Sequence, residues 1–185
     1  MEVNVKAYTW KEAFEDAKEG AKAGSSVYQN FAGYCYSVGR GVKKDLKKAK
    51  VLFEAAARGK YVPAIYNLAT MYDLGQATPR NASRAVELYR EAAERGDVQS
   101  QANFAVMLLE GDGVEQDLVE GLKWLRRAAR RGDEEAQYNL GRAYLDGDGV
   151  KRNVLHARTW LLKASAKGHA KASRLLRRLK VDGAD

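Results

Sequence analysis

The sequence predicts an all-α protein, an α/α superhelix of stacked helix-turn-helix repeats. Three observations support this prediction. The same types of residue (Gly, Ala and Asp or Asn) recur every 36 positions, and apolar residues recur at helical spacing. The implied helices are also too short to be stable alone, so they must pack on one another. The periodic columns include Gly39, Gly75, Gly111 and Gly147; Ala56, Ala92, Ala128 and Ala164; and Asp45, Asn81, Asp117 and Asn153. Because the columns stay in phase without insertion or deletion, we place the repeats at 25–60, 61–96, 97–132 and 133–168.

Each repeat is interpreted as two helices separated by a glycine turn. In the last repeat, Ala136, Leu140 and Tyr144 recur at i, i+4 and i+8, which is the apolar stripe of a helix. The glycines at 147 and 149 then end this first helix, because glycine readily adopts left-handed backbone. Asn153 fits the N-cap of the second helix.

In the third repeat, Asp117 is followed three residues later by Glu120. This spacing predicts a capping box, in which each side chain accepts a hydrogen bond from the other residue's backbone amide.

The two ends of the chain differ from the inner repeats. Residues 8–24 are in phase with second helices and predict an unpaired half unit, and residues 169–180 continue the first-helix pattern as a capping helix. Arg177 occupies a column that holds Gly or Ala in every repeat, so nothing is expected to pack closely on that end. We predict one domain over residues 1–185.

Composition excludes several classes of protein. The 185 residues are 45% hydrophobic and 30% charged, as in a soluble folded domain. The longest uncharged stretch, residues 23–39, is too short and polar to span a membrane. The N-terminus is charged where a secretory signal needs an apolar run, and a single cysteine cannot form an internal disulfide. We therefore expect a cytoplasmic protein.

The last repeat shows a family pattern at Ala136, Leu140, Gly141, Tyr144, Gly147, Gly149, Val150, Asn153, Ala157, Trp160, Ala164 and Gly168. With these residues, the repeat resembles the Sel-one-like repeat, the 36-residue relative of the tetratricopeptide repeat. The second repeat departs from the pattern at residues 77–79. The resemblance implies a right-handed, tetratricopeptide-like solenoid and a bacterial adaptor or scaffold that binds proteins and is not an enzyme.

Helical geometry predicts which face of the first helices can bind a partner. Leu140 points toward the second helices, so residues near the opposite side should line the inner, concave surface. Aromatic rings there contribute apolar area and amides pair with peptide backbone, which suits a peptide groove. The predicted protein-binding residues are Asn30, Phe31, Tyr34, Tyr66, Asn67, Thr70, Asn103, Val106, Glu135, Tyr138, Asn139 and Arg142.

Within this set, Asn67, Asn103 and Asn139 occupy one column of the repeat. The resemblance to tetratricopeptide domains implies that these amides hold the backbone or the C-terminal carboxylate of a ligand. The alternative is that they bridge helices inside the fold, and the sequence leaves both interpretations open.

The net charge of +8 raises nucleic-acid binding as an alternative function. The excess lies in residues 25–60, with eight basic and two acidic residues, and in residues 169–185, with five and two. A nucleic-acid site would therefore use Lys43–Lys50 and the C-terminal arginines (Arg174, Arg177 and Arg178). Because the other repeats are nearly neutral, a groove that follows a phosphate backbone is disfavoured, and the charge favours acidic protein partners instead.

Catalytic groups are sparse in this sequence. The two histidines are His156 and His169. Cys35 lies three repeats before His156, in an apolar column with Met71, Met107 and Ala143. We interpret Cys35 as a buried apolar residue and expect no catalytic residues, metal or cofactor. The sequence thus predicts a non-catalytic protein-interaction module (an adaptor, scaffold or immunity-type binder) and leaves its oligomeric state open.

Overall fold

The computed structural model describes residues 9–181, which form ten α-helices and contain no β-strand. The helices are α1 (Trp10–Lys22), α2 (Ser26–Val38), α3 (Leu46–Arg58), α4 (Val62–Asp73), α5 (Ala82–Glu94), α6 (Val98–Glu110), α7 (Leu118–Arg130), α8 (Glu134–Asp146), α9 (Val154–Ala166) and α10 (Ala170–Val181). Across this described part of the chain, no helix combines the length and apolar character needed to cross a bilayer. The all-α prediction is confirmed. The predicted half unit began at residue 8, which lies outside the described residues.

The chain divides into two compact units, Met1–Leu88 and Tyr89–Asp185. In the first unit, α2 packs between α1 and α3, and α4 packs on α3. In the second unit, the helices from α6 to α10 pack each on the next. Helices that contact their neighbours in sequence are the packing pattern of helical repeats. The assignment of one domain stays a prediction.

The N-caps predicted at Asp117 and Asn153 are confirmed, and the structure shows the same cap in the other two repeats. One side-chain oxygen of each cap accepts a hydrogen bond from the backbone amide three residues later, at 2.9–3.0 Å. The four caps are Asp45, Asn81, Asp117 and Asn153. Each bond satisfies one amide that has no partner within its own helix.

The capping box predicted at Asp117 is wrong in its second half. The Glu120 carboxylate does not reach back to Asp117, because the Asp117 amide already donates to the Leu108 carbonyl at 2.9 Å. Glu120 instead accepts a hydrogen bond from the indole Nε1 of Trp124 at 2.7 Å. The half-buried indole N–H needs an acceptor, and Glu120 lies one helical turn away from it.

The second repeat keeps the turn of the other repeats although it lacks their glycine. Ala77 has a φ of +57°, close to the φ values of +72°, +74° and +65° at Gly41, Gly113 and Gly149 in the same column. Lys60 likewise has a φ of +58° in a column that otherwise holds glycine. These two non-glycine residues carry backbone strain that the other repeats avoid.

Small residues allow the paired helices to approach closely. A Cβ added at Gly33 would lie 2.8 Å from the Phe53 ring, and one at Gly141 would lie 2.8 Å from Leu161 Cγ. In the same column, Ala69 and Ala105 are fully buried.

Two buried glutamines, which the sequence did not reveal, tie first helices to the second helix before them. The side-chain Nε2 of Gln101 donates to the Ala93 carbonyl, and that of Gln137 donates to the Ala129 carbonyl, both at 3.0 Å. Gln101 and Gln137 lie one repeat apart in the sequence, and this spacing was the signal that could have revealed them.

Candidate protein-binding surface

Six predicted binding residues lie on α2 and α4 of the first unit. They are Asn30, Phe31, Tyr34, Tyr66, Asn67 and Thr70. The amide Nδ2 of Asn67 donates to Oδ1 of Asn30 at 2.9 Å, which links the two helices. The Thr70 hydroxyl donates to the Tyr66 carbonyl at 3.1 Å. At Asn67, the structure therefore contains the helix bridge that was one of the two alternatives.

Trp10, at the start of α1, joins this surface although the sequence analysis did not select it. Its ring stacks on Phe31 with the centroids 6.2 Å apart and the planes 9° apart. The guanidinium of Arg40 lies 4.7 Å from the centroid of the Trp10 ring, within the range of a cation–π interaction. The available signal was periodicity, because Trp10 is one repeat before Leu46 and three before Leu118.

In the second unit, α6 and α8 form a groove of about 380 Å³. The groove brings together the predicted residues Val106, Asn139 and Arg142. Its other lining residues are Leu109, Glu110, Gln116, Leu118, Ala143 and Asp148. It therefore combines apolar side chains with an amide and charges of both signs.

The asparagines of the second unit differ from Asn67. Asn103 and Asn139 are half-buried, and their side-chain amides form no hydrogen bond with another described residue. An amide with unused donors and acceptors at the surface can pair with the backbone of an incoming peptide. Arg142 lies beside Asn139 and is only weakly engaged, since its nearest carboxylate oxygen, on Asp146, is 3.7 Å away.

Glu135 and Tyr138, also predicted to bind a partner, contact His169 at the start of the last helix. Nε2 of His169 lies 2.9 Å from a Glu135 carboxylate oxygen, and its ring stacks on Tyr138 at 4.5 Å. Nδ1 of His169 accepts a hydrogen bond from the Ala172 amide at 3.1 Å, so a neutral ring carries its proton on Nε2 and donates it to Glu135. The imidazole therefore caps α10 and links it to α8.

Part of the basic cluster at Lys43–Lys50 is neutralised locally. Nζ of Lys50 lies 2.9 Å from Glu54, and this hydrogen bond raises the pKa of the Lys50 ammonium. Nζ of Lys48 lies 3.7 Å from the carboxylate of Asp45, which caps the same helix. These pairs reduce the positive field that a phosphate backbone would meet.

Cys35 and His156, the side chains most suited to catalysis by type, are packed against other residues of the fold. Cys35 is fully buried, and burial raises the pKa of its thiol, so the nucleophilic thiolate is disfavoured. The ring of His156 packs edge-on against Tyr144 at 5.2 Å. In the part of the chain that the structure describes, no three His, Cys, Asp or Glu side chains are grouped so that they could hold a metal ion.

Several solved structures resemble this chain. A protective antigen of uropathogenic Escherichia coli that displays an SLR fold is 38% identical, with a TM-score of 0.86 over 92% of this chain and 36% of the antigen. A Sel1 repeat protein from Oxalobacter formigenes is 28% identical, with a TM-score of 0.80 over 90% of this chain and 73% of the other. The present chain thus spans little more than a third of the E. coli antigen.

An immunity protein from Pseudomonas aeruginosa is 20% identical, with a TM-score of 0.61 over 90% of this chain and 63% of the other. At this identity, the similarity shows the fold alone. No curated protein matches the chain.

The sequence model of the Sel1 repeat matches residues 26–61, 62–97, 98–133 and 134–169. Sel1-repeat proteins typically mediate protein–protein interaction, and the family is generally non-catalytic. Because these four matches cover most of the sequence, the chain belongs to the Sel1 repeat family.

Proposed function

We propose that this chain is a non-catalytic module that captures a segment of another protein on the exposed faces of its first helices. It would serve as an adaptor, a scaffold or an immunity-type binder in the bacterial cytoplasm. The observation that supports this proposal is the α6–α8 groove, in which Val106, Asn139 and Arg142 meet. The net charge of +8 favours an acidic partner.

The groove offers three kinds of contact to a peptide. Val106, Leu109 and Leu118 form apolar walls for a side chain, and the Asn139 amide can donate to and accept from the peptide backbone. Arg142 can pair with a carboxylate. The volume of about 380 Å³ falls at the lower end of the range for binding clefts, which suits one or two side chains of a segment rather than a folded surface.

The proposal is tested by capturing partners from the native cell with the purified chain, identifying them, and measuring their affinity by calorimetry. We expect Asn139→Ala and Arg142→Ala each to weaken binding by about tenfold or more, since each removes a polar anchor. Lys123→Ala, on the exposed side of α7, is the matched control and should leave the affinity unchanged.

Two results would contradict the proposal. One is a partner whose affinity is unchanged in both groove variants. The other is salt-dependent binding to random RNA or DNA, in the absence of a protein partner, that disappears when the lysines of Lys43–Lys50 are neutralised.

A further inference from the structure

The first unit carries an exposed apolar stripe along α2. Val27, Phe31, Tyr34 and Val38 recur at i, i+4, i+7 and i+11, and so lie on one side of the helix. Val27 is 53% exposed, Tyr34 37% and Val38 47%. Trp10, which is 46% exposed and stacks on Phe31, widens this surface, which we call the α2 stripe.

Positive charge lies at one end of the α2 stripe. No acidic residue occurs over residues 24–44, whereas Arg40, Lys43 and Lys44 follow the C-terminal end of α2. Among the described residues, none of these three cations forms an ion pair, and Arg40 lies over the Trp10 ring. Among the described residues, an apolar surface therefore adjoins cations that form no ion pair.

Repeat symmetry identifies the second-unit counterpart of this surface. Leu118, Asn139, Arg142 and Asp148, all of which line the α6–α8 groove, lie three repeats after Trp10, Phe31, Tyr34 and Arg40, respectively. The same positions thus hold a leucine, an amide and charges of both signs in one unit, and three aromatic rings and a cation in the other. The two surfaces therefore differ in the side chains that they present.

We propose that the α2 stripe binds an amphipathic helix of another protein, which lays its apolar face along the stripe and places carboxylates beside Arg40, Lys43 and Lys44. A helix fits because side chains at i, i+4, i+7 and i+11 form a straight apolar stripe, and a second helix packs on such a stripe by placing its side chains in the gaps between them. This inference rests on the proposed function and names the partner's chemistry at one surface.

A second copy of this chain is a poorer occupant than an acidic helix. The α2 helix is uncharged from Ser26 to Val38, so an α2 from another copy brings no carboxylate to the cationic end. Pairing two copies through their α2 helices would bring no carboxylate from α2 to Arg40, Lys43 or Lys44, whereas an acidic helix supplies carboxylates there.

The test uses two synthetic helical peptides of about 18 residues with the same leucine stripe. One peptide carries three glutamates in its first turn, and the other carries glutamines there. We expect the glutamate peptide to bind with a dissociation constant in the micromolar range and the glutamine peptide to bind at least about tenfold more weakly at low salt. The amide NMR signals of α2 should shift on binding.

Substitution in the stripe provides the matched comparison. Val27 is the second residue of α2 and Val119 is the second residue of α7; the latter is 78% exposed. An aspartate is compatible with either helix, because it lies near a helix N-terminus. Val27→Asp should weaken binding of the glutamate peptide by about tenfold or more, whereas Val119→Asp should leave it unchanged, and thermal melting of both variants checks folding.

Three results would overturn the inference. The first is that the glutamate peptide fails to bind, and the second is that it binds the Val27→Asp variant as tightly as the unmodified chain. The third is that the chain forms a dimer that Val27→Asp abolishes. A natural partner that loses affinity with Asn139→Ala but not with Val27→Asp would also refute it, while leaving the proposed function intact.

Discussion

The asparagine column (Asn67, Asn103 and Asn139) provides a test of which of its members stabilise the fold and which remain available to bind a partner. Asn67→Ala removes the hydrogen bond of 2.9 Å to Asn30, whereas Asn103→Ala removes no hydrogen bond to a described residue. Both substitutions replace the same half-buried residue type within a first helix. Both variants therefore gain the same small increase in helix propensity. The difference between their stabilities then measures the hydrogen bond between Asn67 and Asn30.

The expected size of that difference follows from the bridge being one neutral, half-buried hydrogen bond. Such a bond contributes about 0.5–1.5 kcal/mol net. In a protein of this size, about 1 kcal/mol corresponds to roughly 2–4 °C in Tm. We expect Asn67→Ala to melt about 2–4 °C below Asn103→Ala, and Asn103→Ala to differ little from the unmodified chain.

Urea unfolding followed by circular dichroism measures these free energies, and a double-mutant cycle adds a control. Asn30→Ala should reproduce the loss seen in Asn67→Ala, and the double variant should lose no more than either single one, with a coupling of about 1 kcal/mol. Equal stabilities for Asn67→Ala and Asn103→Ala, together with zero coupling, would refute the assignment of Asn67 as a bridge.

Four further results are expected. Ala77→Gly should stabilise the chain by about 0.5–1 kcal/mol, since relief of left-handed strain exceeds the entropy that glycine adds to the unfolded state. Gly24 has a φ of +87° and no atom near an added Cβ. Gly24→Ala should therefore destabilise the chain by a similar amount in the same urea titration. Gly141→Ala should cost about 1–2 kcal/mol of unfolding free energy, because its Cβ meets Leu161 at 2.8 Å, and unchanged unfolding would disprove the close approach. Cys35 should react with a thiol reagent far more slowly in the folded chain than in urea, because it is buried and its thiol pKa is raised; equal rates would contradict that burial.

Part of the candidate surface could be predicted from periodicity. Helical geometry selected Val106, Asn139 and Arg142, which the structure brings together in the α6–α8 groove. Periodicity could not show that Asn67 is bridged, because its partner, Asn30, is one position away from the asparagine column. Trp10 was missed because it begins the half unit, where only a second helix was predicted.

The sequence by itself determined the repeat length, the helix pairs and the N-caps. These features depend on residues within a few positions of each other: Asn153, for example, caps α9 through an amide only three residues away. Local sequence is sufficient for such contacts, since the helix itself sets their geometry.

Only the tertiary structure decided which polar groups are already engaged and which remain available. The Asp117 amide donates to the Leu108 carbonyl of another helix, so Glu120 does not complete the capping box and instead accepts a hydrogen bond from Trp124. The His169 ring likewise forms a hydrogen bond with Glu135 on α8. The Asn139 amide, also on α8, forms no hydrogen bond with another described residue. These outcomes depend on how adjacent helices are rotated and spaced, and a 36-residue period constrains neither closely enough to predict a hydrogen bond of about 3 Å.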